Sequence, residues 1–168
     1  MVLIVNTTKD TSISEEIKRN ISDKGIDAEI IEAGDMKISH CIGCNFCWLK
    51  TPGECSVKDD YEQILKRIIH AKQMWVISDT ALGFIDHKGK NIFDRILPIA
   101  TMYLTFKGDQ MRHVRRYNNT TDIGLIYKGE CEKDFLKRWN ERAAINFHSK
   151  SLGVFSTDEI KEAASCMC

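Results

Sequence analysis

Proline is nearly absent: Pro52 and Pro98 are the only two in 168 residues. That scarcity, with 43% hydrophobic and 29% charged residues, excludes a disordered or low-complexity chain. An excess of one charge sign is absent too, since 24 Lys and Arg balance 24 Asp and Glu. There is then no electrostatic reason to expect nucleic acid or an anionic membrane as partner. No apolar run approaches the roughly 20 residues that span a bilayer. Met1–Asn6 is too brief and lacks the basic flank of a signal peptide. The expectation is one soluble, cytoplasmic domain over residues 1–168, large enough to bury a single core. No Ser-His-Asp grouping, HExxH or Gly-rich Walker loop occurs.

Cysteine, by contrast, is concentrated. Four of the seven, Cys41, Cys44, Cys47 and Cys55, fall within fifteen residues, followed by Lys58-Asp59-Asp60. A reducing cytosol makes them free thiols or metal ligands rather than disulfides. Thiolates two residues apart can converge on one metal centre, so the stretch reads as the ligand set of an iron–sulfur cubane. Four thiolates also suit a structural zinc, although zinc sites usually pair two CxxC units across a longer loop. The third reading is small apolar thiols packed without metal. His40 reads as a surface residue. Cys166-Met167-Cys168 reads as a CxC that binds metal or cycles redox state, or simply as mobile terminal residues.

The rest of the chain alternates strands and helices. Val2–Val5 is a β-branched run without alternation, which suits a strand buried on both faces. Ile13, Ile17 and Ile21 share a helical face, with Ser12 or Ser14 as N-cap and Gly25 as terminator. Ala28–Ile31 is a second strand. Asp59-Asp60 caps a helix carrying Tyr61, Ile64, Leu65 and Ile68, and Met74–Ile77 is a third strand. Thr80–Gly89 reads as a loop, and Asn91–Met102 as a helix interrupted at Pro98. Tyr103–Phe106 and Met111–Tyr117 look like a hairpin. Ile123–Tyr127 and Leu152–Phe155 are further strands, Glu132–Phe147 is an amphipathic helix, and Asp158–Ala164 a last helical turn or two. This alternation predicts an open parallel sheet with helices on both faces. Ligands of such sheets bind outside the carboxyl ends of the strands, and the cysteine stretch leaves one of those ends.

Other rim residues have readings of their own. Thr7, Thr8, Thr11 and Ser12 put hydroxyls and free backbone N–H groups at a helix N-terminus, as a phosphate cradle or as an ordinary capping turn. Asp79-Thr80-Ala81-Leu82-Gly83-Phe84 offers amides and one ring to a planar heterocycle. Asp94 and Arg95 either orient loops by hydrogen bonds or form a solvated pair of little energetic value. Arg112, His113, Arg115 and Arg116 either draw in the phosphates of a nicotinamide dinucleotide or an acidic partner, or form a solvated hairpin face.

The Cys-x-x-Cys-x-x-Cys-x7-Cys spacing with Lys58-Asp59-Asp60, the third-strand loop and Phe93-Asp94-Arg95 resemble the flavodoxin-like NAD(P)H-dependent FMN reductases. The cysteine spacing is similar to that of their iron–sulfur flavoprotein branch. The resemblance implies a flavodoxin-like five-stranded parallel sheet of order 2-1-3-4-5, with a hairpin insertion near 103–117. It implies that Asn6, Thr7, Thr8, Thr11, Ser12 and Ser14 surround an FMN phosphate. Asp79, Thr80, Ala81, Leu82, Gly83 and Phe84 would lie along the flavin ring, with Tyr127, Lys128, Gly129 and Glu130 on its other side. Cys41, Cys44, Cys47 and Cys55 would hold a 4Fe-4S cluster. The implied function is FMN-dependent electron transfer between NAD(P)H or a ferredoxin-type donor and an acceptor, in a homodimer or homotetramer. The chain departs from the family where Asn6-Thr7-Thr8-Lys9 replaces Gly-Ser-Pro-Arg and Thr80-Ala81-Leu82 replaces Pro-Val-Tyr. The rival functions are a flavin-free cysteine metal or redox module and a scaffold using the fold alone.

Overall fold

β1 (Val2–Asn6) lies at the heart of a sheet and is buried along its whole length. Its neighbours are β2 (Ala28–Glu32) and β3 (Gln73–Ala81), both parallel to it. β7 (Asp122–Lys128) pairs with β3, and β8 (Ser151–Ser156) with β7, again in parallel. The computed structural model describes all residues, Met1–Cys168. The order β2-β1-β3-β7-β8 is 2-1-3-4-5 when only parallel strands are counted, as the resemblance implies. A sixth strand, β4 (Phe84–Ile85), adds antiparallel to the end of β3.

Strand side chains alternate between two apolar layers. Leu3 and Val5 pack with α3 (Tyr61–His70), α4 (His87–Asp94) and α5 (Lys133–Asn146); Val2 and Ile4 pack with α1 (Thr11–Ser22) and α6 (Ile160–Ser165). Helices thus cover both faces, which is why the strands read as continuous apolar runs.

Three local expectations are corrected. The cap of α1 is Asp10, whose side chain accepts from the Ser12 backbone N–H, rather than Ser12 or Ser14. Thr80–Gly89 is no loop: β3 continues to Ala81, turns at Leu82-Gly83, returns as β4 and enters α4 under an Asp86 cap. The helix expected over Asn91–Met102 begins at His87 and ends at Asp94. A single 3-10 turn (Leu97–Ile99) holds Pro98. Ala100 then opens β5 (Ala100–Lys107), which pairs with β6 (Gln110–Arg115) as a separate two-stranded sheet. No helix is long and apolar enough to cross a membrane.

Candidate functional site

The chain leaves the carboxyl end of β2 and travels 28 residues before α3, carrying the cysteines. Asn45, in the left-handed region at φ 59°, starts the one-turn helix α2 (Phe46–Leu49). Cys47 is buried in it, while Cys41, Cys44 and Cys55 are partly exposed. All four border a single concavity, together with Ile42, Val57, Leu97, Pro98 and Arg95. No three His, Cys, Asp or Glu side chains are close enough to hold one ion. Ser56 Oγ lies 3.1 Å from Cys44 Sγ; that contact and the Phe46 backbone N–H draw the Cys44 thiol below its ordinary range. Burial pushes the Cys47 thiol up, and charge on the other three cysteines adds to this. One pocket thus holds thiols tuned in opposite directions.

Three clamps hold this loop against the sheet. The strongest is Arg95, at the C-terminus of α4 and 1% exposed. One of its terminal nitrogens donates to both carboxylate oxygens of Asp59, at 2.7 and 2.6 Å, and to the Ser39 carbonyl. The other donates to the Val57 carbonyl at 3.0 Å and to Cys55 Sγ at 3.5 Å. The guanidinium also lies over the Tyr61 ring, 4.6 Å from its centroid. Burial pushes the Asp59 carboxyl up. The Arg95 guanidinium and the N–H groups of Ser39 and Tyr61 outweigh it and hold the group below the usual range. The second clamp is Trp48, which donates to the Leu97 carbonyl at 2.9 Å and packs on His113. The third is Arg116, which donates to the carbonyls of Pro98, Ala100 and Cys47. Arg95 therefore orients loops and is no solvated pair, and Arg116 is no free hairpin cation. Asp94 turns aside to Lys90.

The first rim loop is saturated by its own contacts. Thr7 and Thr8 are buried; Thr7 donates to the Ile77 carbonyl and Thr8 to Asn6 Oδ1. Asn6 in turn donates to Glu32 and to the Asp10 carbonyl, and Ser14 donates to Thr11 O and Glu32. A Cβ on Gly34 would stand 2.2 Å from the Thr8 carbonyl oxygen, so this loop and the start of the cysteine segment pack backbone to backbone. Thr11 and Ser12 face solvent. The N-terminus of α1, where a phosphate would seat, receives the Asp10 carboxylate instead. That carboxylate also accepts from Lys128 Nζ at 2.7 Å. Lys128 and Ser12 together hold the Asp10 carboxyl down at about 2.

The third and fourth rim segments close on each other. Thr80 Oγ1 donates to the Lys128 carbonyl, and the Glu132 N–H donates to the Gly83 carbonyl. Asp79 and Ala81 belong to β3, and the Leu82 side chain is fully exposed at the turn, at φ 52°. Phe84 packs on Trp139 and Phe135, so its ring serves the core. Gly129, at φ 113°, and Glu130 are exposed on the rim. Tyr127 is nearly buried, and burial together with its contact to Cys131 pushes its hydroxyl up to about 12. The arrangement gathers the cysteines, Asp59, Arg95, Trp48 and Arg116 into one cradle. It leaves the hydroxyl loop beside them on the same edge of the sheet.

No protein-family model matches the chain. An iron–sulfur flavoprotein of Methanocaldococcus jannaschii is 33% identical over 89 residues, which are 53% of this chain and 45% of that protein. Over that stretch the chain is similar to an iron–sulfur flavoprotein. A second protein of that name, from Archaeoglobus fulgidus, is 37% identical over 83 residues, 49% of this chain and 38% of that one. The resemblance to the iron–sulfur flavoproteins is thus borne out, and the match spans less than half the length of these relatives. Among solved structures, NAD(P)H:quinone oxidoreductase from Methanothermobacter marburgensis superposes with a TM-score of 0.62 at 12% identity, covering 97% of this chain and 92% of that one. Megasphaera elsdenii flavodoxin gives 0.53 at 13% identity, covering 99% and 97%. The fold is flavodoxin-like.

Proposed function

We propose that the chain is a flavin-dependent electron-transfer protein with an iron–sulfur cluster, working between NAD(P)H or a ferredoxin-type donor and an acceptor. The observation that carries this reading is the shared concavity of Cys41, Cys44, Cys47 and Cys55 on the carboxyl rim of a flavodoxin-like sheet. Four soft thiols beside a buried guanidinium fit a cluster, whose net negative charge needs a nearby cation in a low dielectric. The relatives' names support the same ligand. FMN fits with one condition: its phosphate can reach the N-terminus of α1 only with Asp10 turned out, which would free Lys128 as a counter-charge. Thr11 and Ser12 would then serve the phosphate, and Leu82, Gly83, Lys128 and Gly129 would face the ring. Bound together, flavin and cluster would supply two-electron and one-electron redox chemistry. The residues described here bind and orient these groups, and none is needed as acid or base.

A second copy of the chain is the partner we propose. Met102, Tyr103, Leu104, Phe106 and Met111 are exposed on the hairpin, and an isolated two-stranded sheet is marginal in water without cover. Light scattering should give a dimer or tetramer, and a strictly monomeric mass removes this part of the proposal.

The flavin-free cysteine module is the second reading, favoured by the seating of Asp10. The visible spectrum of protein purified without oxygen decides between the two. Flavin bands with a broad cluster shoulder are expected. Cys44→Ser should lose the shoulder and the iron while keeping flavin. Iron without any uptake of added FMN would select the second reading. Colourless protein that takes up neither iron nor FMN would sink both.

A further inference from the structure

Arg95 is the only charged residue among the buried ones. Its burial needs a reason beyond holding a loop, because desolvating a guanidinium is costly and apolar contacts could dock the segment without that cost. The geometry supplies one. One terminal nitrogen is committed to Asp59 and the Ser39 carbonyl, while the other is shared between the Val57 carbonyl at 3.0 Å and Cys55 Sγ at 3.5 Å. Arg95 Nε has no hydrogen-bond partner at all, although the residue borders the concavity of the four thiols. Asp59 fixes the guanidinium plane, and with it the approach of the second terminal nitrogen to Cys55 Sγ.

We propose that Arg95 is a positioning residue for the cysteine centre that sets its reduction potential by donating a hydrogen bond to the Cys55 sulfur. The proposal rests on the cluster reading above. Reduction adds one electron to the iron–sulfur group, with no bond broken and no proton required; dithionite is the reductant in the test. Added electron density spreads onto the ligand sulfurs, and an N–H donor with full positive charge stabilises it. Removing that donor therefore disfavours the reduced form. Lysine cannot replace arginine here, because one ammonium cannot serve both Asp59 and Cys55 in the geometry of the planar fork.

The full chain, its Arg95→Lys variant and its Arg95→Gln variant are loaded anaerobically with ferrous iron and sulfide. Their midpoint potentials are then read by electron paramagnetic resonance during dithionite titration. Arg95→Lys should lower the one-electron equilibrium about tenfold or more, which is 59 mV for a one-electron couple, and Arg95→Gln should lower it further. Circular dichroism reports whether each variant folds. Should neither fold, wild-type protein exchanged into deuterium oxide supplies the measurement, since pulsed resonance should detect an exchangeable proton near the ligand sulfur. Folded, loaded variants with the wild-type potential, or a wild-type centre without that proton, overturn the proposal and leave the cluster reading intact. A wild-type chain that takes up no iron overturns both.

Discussion

Asp59→Ala should destabilise the protein by about 3–5 kcal/mol, the usual cost of breaking a buried ion pair from one side. The side chains of Arg95 and Asp59 are 1% and 9% exposed, so solvent does little to screen what remains. The substitution removes two of the three acceptors of one Arg95 terminal nitrogen, leaving it the Ser39 carbonyl, and orphans the N–H groups of Ser39 and Tyr61, which donate to Asp59 at 2.8 and 3.1 Å. A guanidinium cannot shed its proton to escape. It stays charged, buried and short of partners, beneath a loop that Asp59 helped to anchor. Asp59→Asn keeps one acceptor oxygen and should cost less. The midpoint of urea unfolding measures both, and an Asp59→Ala midpoint within about 1 kcal/mol of wild type would show that the pair is not the anchor. The same pair fixes a pH dependence. The folded-state pKa of Asp59 is depressed, so its contribution is complete above the unfolded value near about 4. It is lost as pH falls through the folded value. Acid should release the cysteine segment, and Asp59→Ala should lose this part of the acid sensitivity.

Where pattern is local, the amino-acid order was enough. Ile13, Ile17 and Ile21 announce α1 by their spacing, and the unalternating strands announce a sheet covered on both faces. The rim position of Cys41–Cys55 follows from that order of elements alone. What escaped was pairing across distance. Arg95 meets Asp59 thirty-six positions away and Arg116 meets Cys47 sixty-nine away, and nothing in the neighbourhood of either arginine marks its partner. Asp59-Asp60 is legible as a helix cap because Asp is a good cap, and the Asp59 carboxylate does accept from the Tyr61 N–H that opens α3; the further duties of the pair, Asp59 to Arg95 and Asp60 to the Lys37 N–H, are not. The missed turn at Leu82-Gly83 has a different cause. Glycine at φ 77° closes a hairpin as readily as it opens a loop, and the apolar residues of β4 are too few to show a period. Asp10 was legible in principle, since Asp two residues before Ser12 is a capping signature.

That carboxylate is the basis of the second large effect: Asp10→Asn should raise FMN affinity by at least about tenfold and leave riboflavin affinity unchanged. Asn caps helices as well as Asp does, so the substitution removes charge while keeping the turn. In the wild type, a phosphate approaching α1 meets an anion already seated on the Ser12 N–H and paired with Lys128. The carboxyl is held at about 2 and does not neutralise in any ordinary buffer. Like charges at contact distance repel by several times thermal energy even near a protein surface, and salt screening at an exposed site sets the lower end of the expected gain. Riboflavin carries the same ring without the phosphate and so reports the ring site alone. Fluorescence titration of both flavins against both proteins measures the four affinities. Wild type should barely distinguish FMN from riboflavin, and the variant should prefer FMN, by a margin that narrows as salt is raised. A wild type that already prefers FMN by orders of magnitude, unchanged in Asp10→Asn, would mean that the phosphate sits elsewhere on the rim. The retained Asp10 cap would then be a structural device alone.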